Sequence, residues 1–268
     1  MNILCVGNSF AVDAATYVHQ IAKSIGFDIN IHVLYIGGCP IDKHWHNFTS
    51  KIEPYEFYIN GEKTPTLVCD IFEGLNYAKY DFITFQQRSG DSVDANTFFP
   101  ELTLLMDGIR QYSDAKYLLH KTWSYAKTFS HERYGSNPMD QDAMDRDIKL
   151  AYEEVSKKTG ILYIIPSGEA VRLARIKYGD NLTRDGYHLN ERGRTLAGIL
   201  WVCYLLNKTD IDLSNFHPSG YSYDDVTPPV SDEEIKELFE ISKQALINNK
   251  GHNLLWLSSN HLVNNSKI

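Results

Sequence analysis

The sequence predicts a three-layer α/β/α sandwich on a five-stranded parallel sheet, and three observations carry that expectation. Short apolar runs alternate with amphipathic stretches, the runs lack the polar alternation of a half-exposed sheet, and several stretches close on glycine. The runs fall at residues 3–6, 29–36, 81–86, 116–121 and 161–166. Such runs need cover on both faces, as the strands of a parallel sheet do. Helical patterns lie between them, at residues 14–25 closed by Gly26, 98–112, 140–158 followed by Gly160, and 170–177. Glycine takes the left-handed conformation that ends a helix at little cost. Five βα units of this kind place helices on both faces of the sheet and ligands at the carboxyl ends of the strands. Function is therefore expected near Gly7, Gly37, Gln86, Lys121 and Ser167.

Two features depart from the alternation. Residues 55–70, "YEFYINGEKTPTLVCD", form two alternating runs around Asn60 and Gly61, the signature of an inserted β-hairpin. After a core at residues 2–206 comes an appendage, 207–268, with a Tyr/Pro/Asp-rich loop and a helix capped by Ser231 with Glu234 three residues on.

Composition excludes several partners. The chain has 268 residues, 43% of them hydrophobic, enough for a substantial core and unlike a disordered chain. A net charge of -8 with no Lys/Arg block argues against nucleic acid, whose affinity rests on clustered cations. The longest apolar run, residues 196–206, is shorter than the roughly 20 residues that span a bilayer, so it is expected as a buried helix and no membrane partner is expected. No signal-type segment precedes the first strand, which places a chain that starts naturally at Met1 in the cytoplasm and one trimmed from a precursor in the periplasm or outside the cell. Cys5, Cys39, Cys69 and Cys203 have no metal or disulfide spacing, and Cys5 and Cys203 read as buried thiols.

Ser9 in "VGNSF" follows the first strand directly and stands where a helix begins. It is either a nucleophile whose hydroxyl and N–H lie at the strand end or the N-cap of that helix. In "NLTRDGYHLNERG", Asp185 and His188 lie three apart on one glycine-containing loop. A serine nucleophile needs an imidazole base, and the imidazole needs a carboxylate to fix its tautomer. Alone, either motif is an ordinary cap or surface turn; together they suit acyl transfer.

These two motifs resemble those of the SGNH superfamily of GDSL-like serine esterases and lipases. The resemblance covers residues 2–206 and implies a flavodoxin-like hydrolase fold with Ser9 as nucleophile, His188 as base and Asp185 as its orienting acid. Asn8 stands where the family usually has aspartate. The family's oxyanion hole combines the serine N–H, a glycine N–H after the second strand and an asparagine after the third. The glycine matches Gly38, with Gly37 as the alternative. The third strand ends "FITFQQRSGDS", without the family's usual Gly-x-Asn; Gln87, or alternatively Gln86, is expected to supply the amide. His44, Trp45, Trp123 and Tyr125 lie past strand ends and are expected to shape the substrate site. His44 and His46 form an H-x-H pair, but no carboxylate is spaced to complete a metal site, and no cofactor or metal is expected. The expected activity is hydrolysis of short, acetyl-type esters on a carbohydrate. The alternatives are an inactive carbohydrate-binding protein on the same fold and a lipase or thioesterase.

Overall fold

The computed structural model describes residues 1–51, 54–136, 138–219 and 229–249. Its centre is a seven-stranded sheet. The strands are β1 (Asn2–Gly7), β2 (Asn30–Tyr35), β3 (Tyr55–Ile59), β4 (Glu62–Cys69), β5 (Phe82–Phe85), β6 (Lys116–His120) and, after a two-residue pair β7 (Ser130–His131) and β8 (Gly135–Ser136), β9 (Ile164–Ile165). The order across the sheet is β4-β3-β2-β1-β5-β6-β9. The five expected parallel strands are all present, as β2, β1, β5, β6 and β9. The expected hairpin is present as β3 and β4, but it pairs antiparallel with β2 and so extends the sheet from five strands to seven.

The helices are α1 (Ser9–Ala15), α2 (Val18–Ser24), α3 (Ile41–Ser50), α4 (Ile71–Asn76), α5 (Glu101–Ile109), α6 (Gln141–Thr159), α7 (Ser167–Tyr178), α8 (Glu191–Leu206) and α9 (Asp232–Asn248). α1, α2, α7, α8 and α9 pack together, and α3 packs with α4 and α5. α8 is buried along almost its whole length, as its apolar run requires, and no helix among the described residues is long and apolar enough to cross a membrane.

The differences from expectation have local causes. The first helix begins at Ser9 and breaks before α2, where the Thr16 hydroxyl donates to the Val12 carbonyl at 2.8 Å. Such back-bonding perturbs a helix. α5 starts only after Pro100. β9 is short, and Leu162 just before it is 65% exposed. In the appendage, α9 carries the expected capping box at Ser231 and Glu234 and packs on α7 and α8. The loop expected around residues 220–228 lies outside the described residues. Cys5, Cys39 and Cys203 are buried, and burial pushes the Cys5 and Cys203 thiols up to about 12.

Candidate active site

Ser9 is the first residue of α1, and the cap of that helix is Asn8, not Ser9. The Asn8 Oδ1 accepts from the Phe10 N–H at 3.1 Å. The serine hydroxyl, released from capping, donates to His188 Nε2 at 2.8 Å. His188 Nδ1 donates to Asp185 Oδ2 at 2.6 Å. The other carboxylate oxygen of Asp185 accepts from the backbone N–H of His188 at 2.8 Å and of Tyr187 at 3.2 Å. Partial burial works against ionisation of Asp185, but the bonds from His188 and the two amides outweigh it and hold the carboxyl below its ordinary range. One short loop thus supplies base and acid, and the fold carries both to a serine that precedes them by some 180 residues in the chain.

The loop is fixed from several sides. Arg184 N–H donates to the His188 carbonyl at 2.9 Å, and Asn190 N–H to Leu182 carbonyl at 3.0 Å. Gly186 has φ +98°, and a Cβ there would lie 2.9 Å from the Phe129 ring, so glycine is required on both counts. Trp123 Nε1 donates to the Tyr187 carbonyl at 2.7 Å.

A buried ion cluster joins this loop to α1. Asp13, one turn beyond Ser9, accepts from the Leu189 N–H at 2.8 Å and pairs with Arg194 at 2.8 Å and Arg184 at 3.1 Å. Arg194 also reaches Glu191. Asp13 was not expected at the site from the sequence. The available signal was a lone acid in the apolar stretch "FAVDAATYV", which a core admits only with partners.

The expected oxyanion groups separate into two sets. Gly38 follows β2 with φ +59°, a Cβ there would meet nothing within 4 Å, and both it and Gly37 are exposed. The Asn8 Nδ2 donates to the carbonyl of Cys39 at 3.1 Å, which ties the residue after the Gly37-Gly38 turn to the residue before Ser9. Gln87 is placed differently from expectation. Its Nε2 donates to the Thr97 carbonyl at 2.6 Å, and its Oε1 accepts from the N–H groups of Ile41 and Arg88 at 3.0 and 2.8 Å. The amide is thus committed to tying α3 to the loop after β5. Gln86 turns back toward Asn8, donating from Nε2 to Asn8 Oδ1 at 2.8 Å.

Of the four expected substrate contacts, His44, Trp123 and Tyr125 are buried and Trp45 is half-buried. His44 is fully buried on α3, stacked on Tyr55 with its Nδ1 2.9 Å from the Tyr55 hydroxyl, and burial, reinforced by Lys43, pushes its pKa down to about 3. Trp45 stacks on Phe48, which itself contacts Phe72 and Tyr112, so it belongs to the α3-α4 packing. Trp123 is 0% exposed and stacked on Phe10 at 4.3 Å, beneath the site and unable to offer a ring face to a ligand. Tyr125 has its hydroxyl 2.9 Å from Ser89 Oγ. The rings beside the base are instead Tyr187, at 4.1 Å from His188, followed by Phe129 at 5.0 Å and Tyr125 at 5.6 Å from Tyr187. Tyr187 lay inside the D-x-x-H motif itself. Among the described residues no group of three His, Cys, Asp or Glu side chains could hold a metal ion.

An α/β/α sandwich with a serine, a histidine and an aspartate in hydrogen-bonded series at the carboxyl end of β1 is the class of protein these elements define. The chain belongs to the DUF4886 family, described as a domain of unknown function, which matches residues 2–226. A DUF4886 family protein of known crystal structure from Bacteroides uniformis is 29% identical, with a TM-score of 0.80 over 93% of this chain and 95% of that one. A protein from Slackia heliotrinireducens, described as a candidate SGNH hydrolase, is 21% identical with a TM-score of 0.51 over 75% of this chain and 97% of that one. An acetylxylan esterase from Geobacillus stearothermophilus is 13% identical with a TM-score of 0.50, covering 75% of this chain and 93% of that one. The last two share the fold. No curated protein matches the sequence.

Proposed function

We propose that the protein is a serine hydrolase of carboxylic esters that releases short acyl groups, acetyl above all, from a carbohydrate. The single observation that carries this is the series Asp185-His188-Ser9, closed at 2.6 and 2.8 Å. With Nδ1–H held by Asp185, the imidazole presents a lone pair at Nε2 to the Ser9 hydroxyl. Ser9 Oγ attacks the ester carbonyl carbon as its proton passes to Nε2. The resulting oxyanion is met by the N–H of Ser9, free at the start of α1, and by that of Gly38. His188 then returns the proton to the departing alcohol, leaving an acyl-serine. A water molecule, deprotonated by the same nitrogen, cleaves that ester and restores Ser9. Asp185 stabilises the imidazolium in both halves.

The hole in this mechanism has two backbone donors, since the Gln87 amide is occupied elsewhere. Tyr187 and Phe129 give the acyl or sugar side an aromatic wall, suited to a flat acetyl group or a ring face. The acetylxylan esterase on the same fold points the same way. A binding protein that holds a carbohydrate ester without cleaving it is favoured by one observation, the commitment of both glutamine amides to the chain itself.

A fluorophosphonate separates the two. The wild-type protein is expected to be labelled stoichiometrically at Ser9 and the Ser9→Ala variant not at all; a folded wild-type protein that takes no label is a binder. Among esters, kcat/KM is expected to be higher for acetyl than for octanoyl groups, and a maximum at octanoyl or longer moves the assignment to a lipase or thioesterase.

A further inference from the structure

Behind Ser9 a file of buried polar side chains crosses the sheet. Trp201 Nε1 donates to Ser167 Oγ at 3.0 Å. Ser167 Oγ lies 3.0 Å from His120 Nε2, and His120 Nδ1 lies 2.6 Å from Gln86 Oε1. Gln86 Nε2 reaches Asn8 Oδ1 at 2.8 Å, and Asn8 Nδ2 reaches the Cys39 carbonyl at 3.1 Å. Asn8, Gln86, His120, Ser167 and Trp201 are all buried, from α8 on one side to the Gly37-Gly38 turn on the other.

The direction of every bond follows from the ends. A carbonyl only accepts and a backbone N–H only donates, so Asn8 must turn Nδ2 to Cys39 and Oδ1 to Phe10. Oδ1 then requires a donor from Gln86, which fixes that amide and leaves Oε1 toward His120. His120 must carry its proton on Nδ1, leaving Nε2 to accept from the Ser167 hydroxyl. The oxygen of Ser167 is then free to accept from the indole N–H of Trp201, which can only donate. Burial, which pushes the His120 pKa down to about 3, keeps the ring in this neutral form. One orientation of each amide and one tautomer satisfy all five links.

We propose that this file positions the oxyanion loop: His120 and Gln86 hold the Asn8 amide in the one orientation that donates to Cys39, and that bond sets the Gly38 N–H beside Ser9. The proposal rests on the ester-hydrolase function above. It also gives Asn8 a reason to replace the usual aspartate of the resembled family. An ionised aspartate caps the helix equally well, but it would turn a second acceptor toward the Cys39 carbonyl 3.1 Å away.

The test is Asn8→Asp at pH 8, with His120→Asn and His120→Leu beside it. Asparagine at 120 keeps a donor where Nδ1 stood; leucine keeps none. Turnover of an aryl acetate is expressed per Ser9 titrated by fluorophosphonate, so that loss of folded protein does not enter. Asn8→Asp is expected to lower kcat by about 10^2-fold with KM changed by less than about threefold, as when one oxyanion donor is lost. His120→Leu is expected to fall in the same manner and His120→Asn to recover much of it. Wild-type kcat in both Asn8→Asp and His120→Leu overturns the positioning role while leaving the hydrolase intact. Equal losses in the two His120 variants overturn the directional file. Failure of the wild-type protein to take the label overturns the hydrolase and this role with it.

Discussion

At the scale of single residues, the question is what Ser9 does that Asn8 does not. Asn8 caps α1 and carries three hydrogen bonds in the buried interior, whereas the Ser9 side chain bonds His188. Ser9→Ala should therefore leave stability within about 0.5 kcal/mol of wild type and cost on the order of 10^4-fold or more in activity. Asn8→Ala should instead cost about 2–3 kcal/mol, because it removes a cap and leaves buried Gln86 and Cys39 groups unpaired. Urea unfolding of both variants checks this, and a large destabilisation confined to Ser9→Ala would assign the serine a structural role. The three candidate catalytic residues could be picked out in the sequence because acid and base share one loop and the serine directly follows an apolar strand. The glutamines could not be placed, since the orientation of the Gln87 amide depends on Thr97 and Ile41, contacts that no motif encodes. Trp123 misled for a related reason. Its position past a strand end was visible, but its stacking on Phe10 beneath the loop was not.

At the scale of elements, the hairpin was visible in its turn, while its place in the sheet was not. Asn60 and Gly61 both have positive φ, at 54° and 94°, the pattern of a tight two-residue turn that suits the strand twist. Its docking depends on β2 having an open edge, a property of strand order that alternation along one segment does not carry. The docked turn is tight. Asn60 exchanges two bonds with Ile31, at 2.8 and 2.9 Å, and a Cβ at Gly61 would stand 2.3 Å from the Thr16 carbonyl oxygen, between α1 and α2. Gly135 in the small hairpin has a similar φ of 80° with open space around it. Gly61→Ala should thus cost at least about 2 kcal/mol, from strain and collision together, against about 1 kcal/mol for Gly135→Ala from strain alone. Chemical denaturation of the two variants decides it. Equal costs would show that the backbone at Thr16 gives way and that the hairpin is loosely docked on the junction of α2 with α1, the helix that carries Ser9.

At the scale of the whole molecule, the same burial that closes the core sets its response to acid. Alternating apolar runs predicted the layers, but they could not predict that three histidines would be sealed inside them uncharged. His32, His44 and His120 are buried, and burial takes their pKa from the ordinary 6.5 to about 4, 3 and 3, Lys43 adding to the shift at His44. In the unfolded chain each binds a proton as pH falls through 6.5; in the native chain each refuses it until about 3 to 4. The unfolded state therefore holds more protons across that interval, and stability must rise with pH there. It is fully present above about pH 7 and is lost progressively as pH falls toward 4. The urea midpoint should be flat from pH 8 to 7 and decline steadily from 6.5 downward. His32→Phe isolates one contribution, because phenylalanine fits the ring cluster of Phe57, Tyr77 and Tyr80, and the Tyr80 hydroxyl keeps its bond to the Gly74 carbonyl. That variant should take up about one proton fewer on unfolding near pH 5, read from the slope of stability against pH. A wild-type midpoint that stays level through pH 5, or a slope that His32→Phe leaves unchanged, would mean that these imidazoles reach solvent or find acid partners in the native fold.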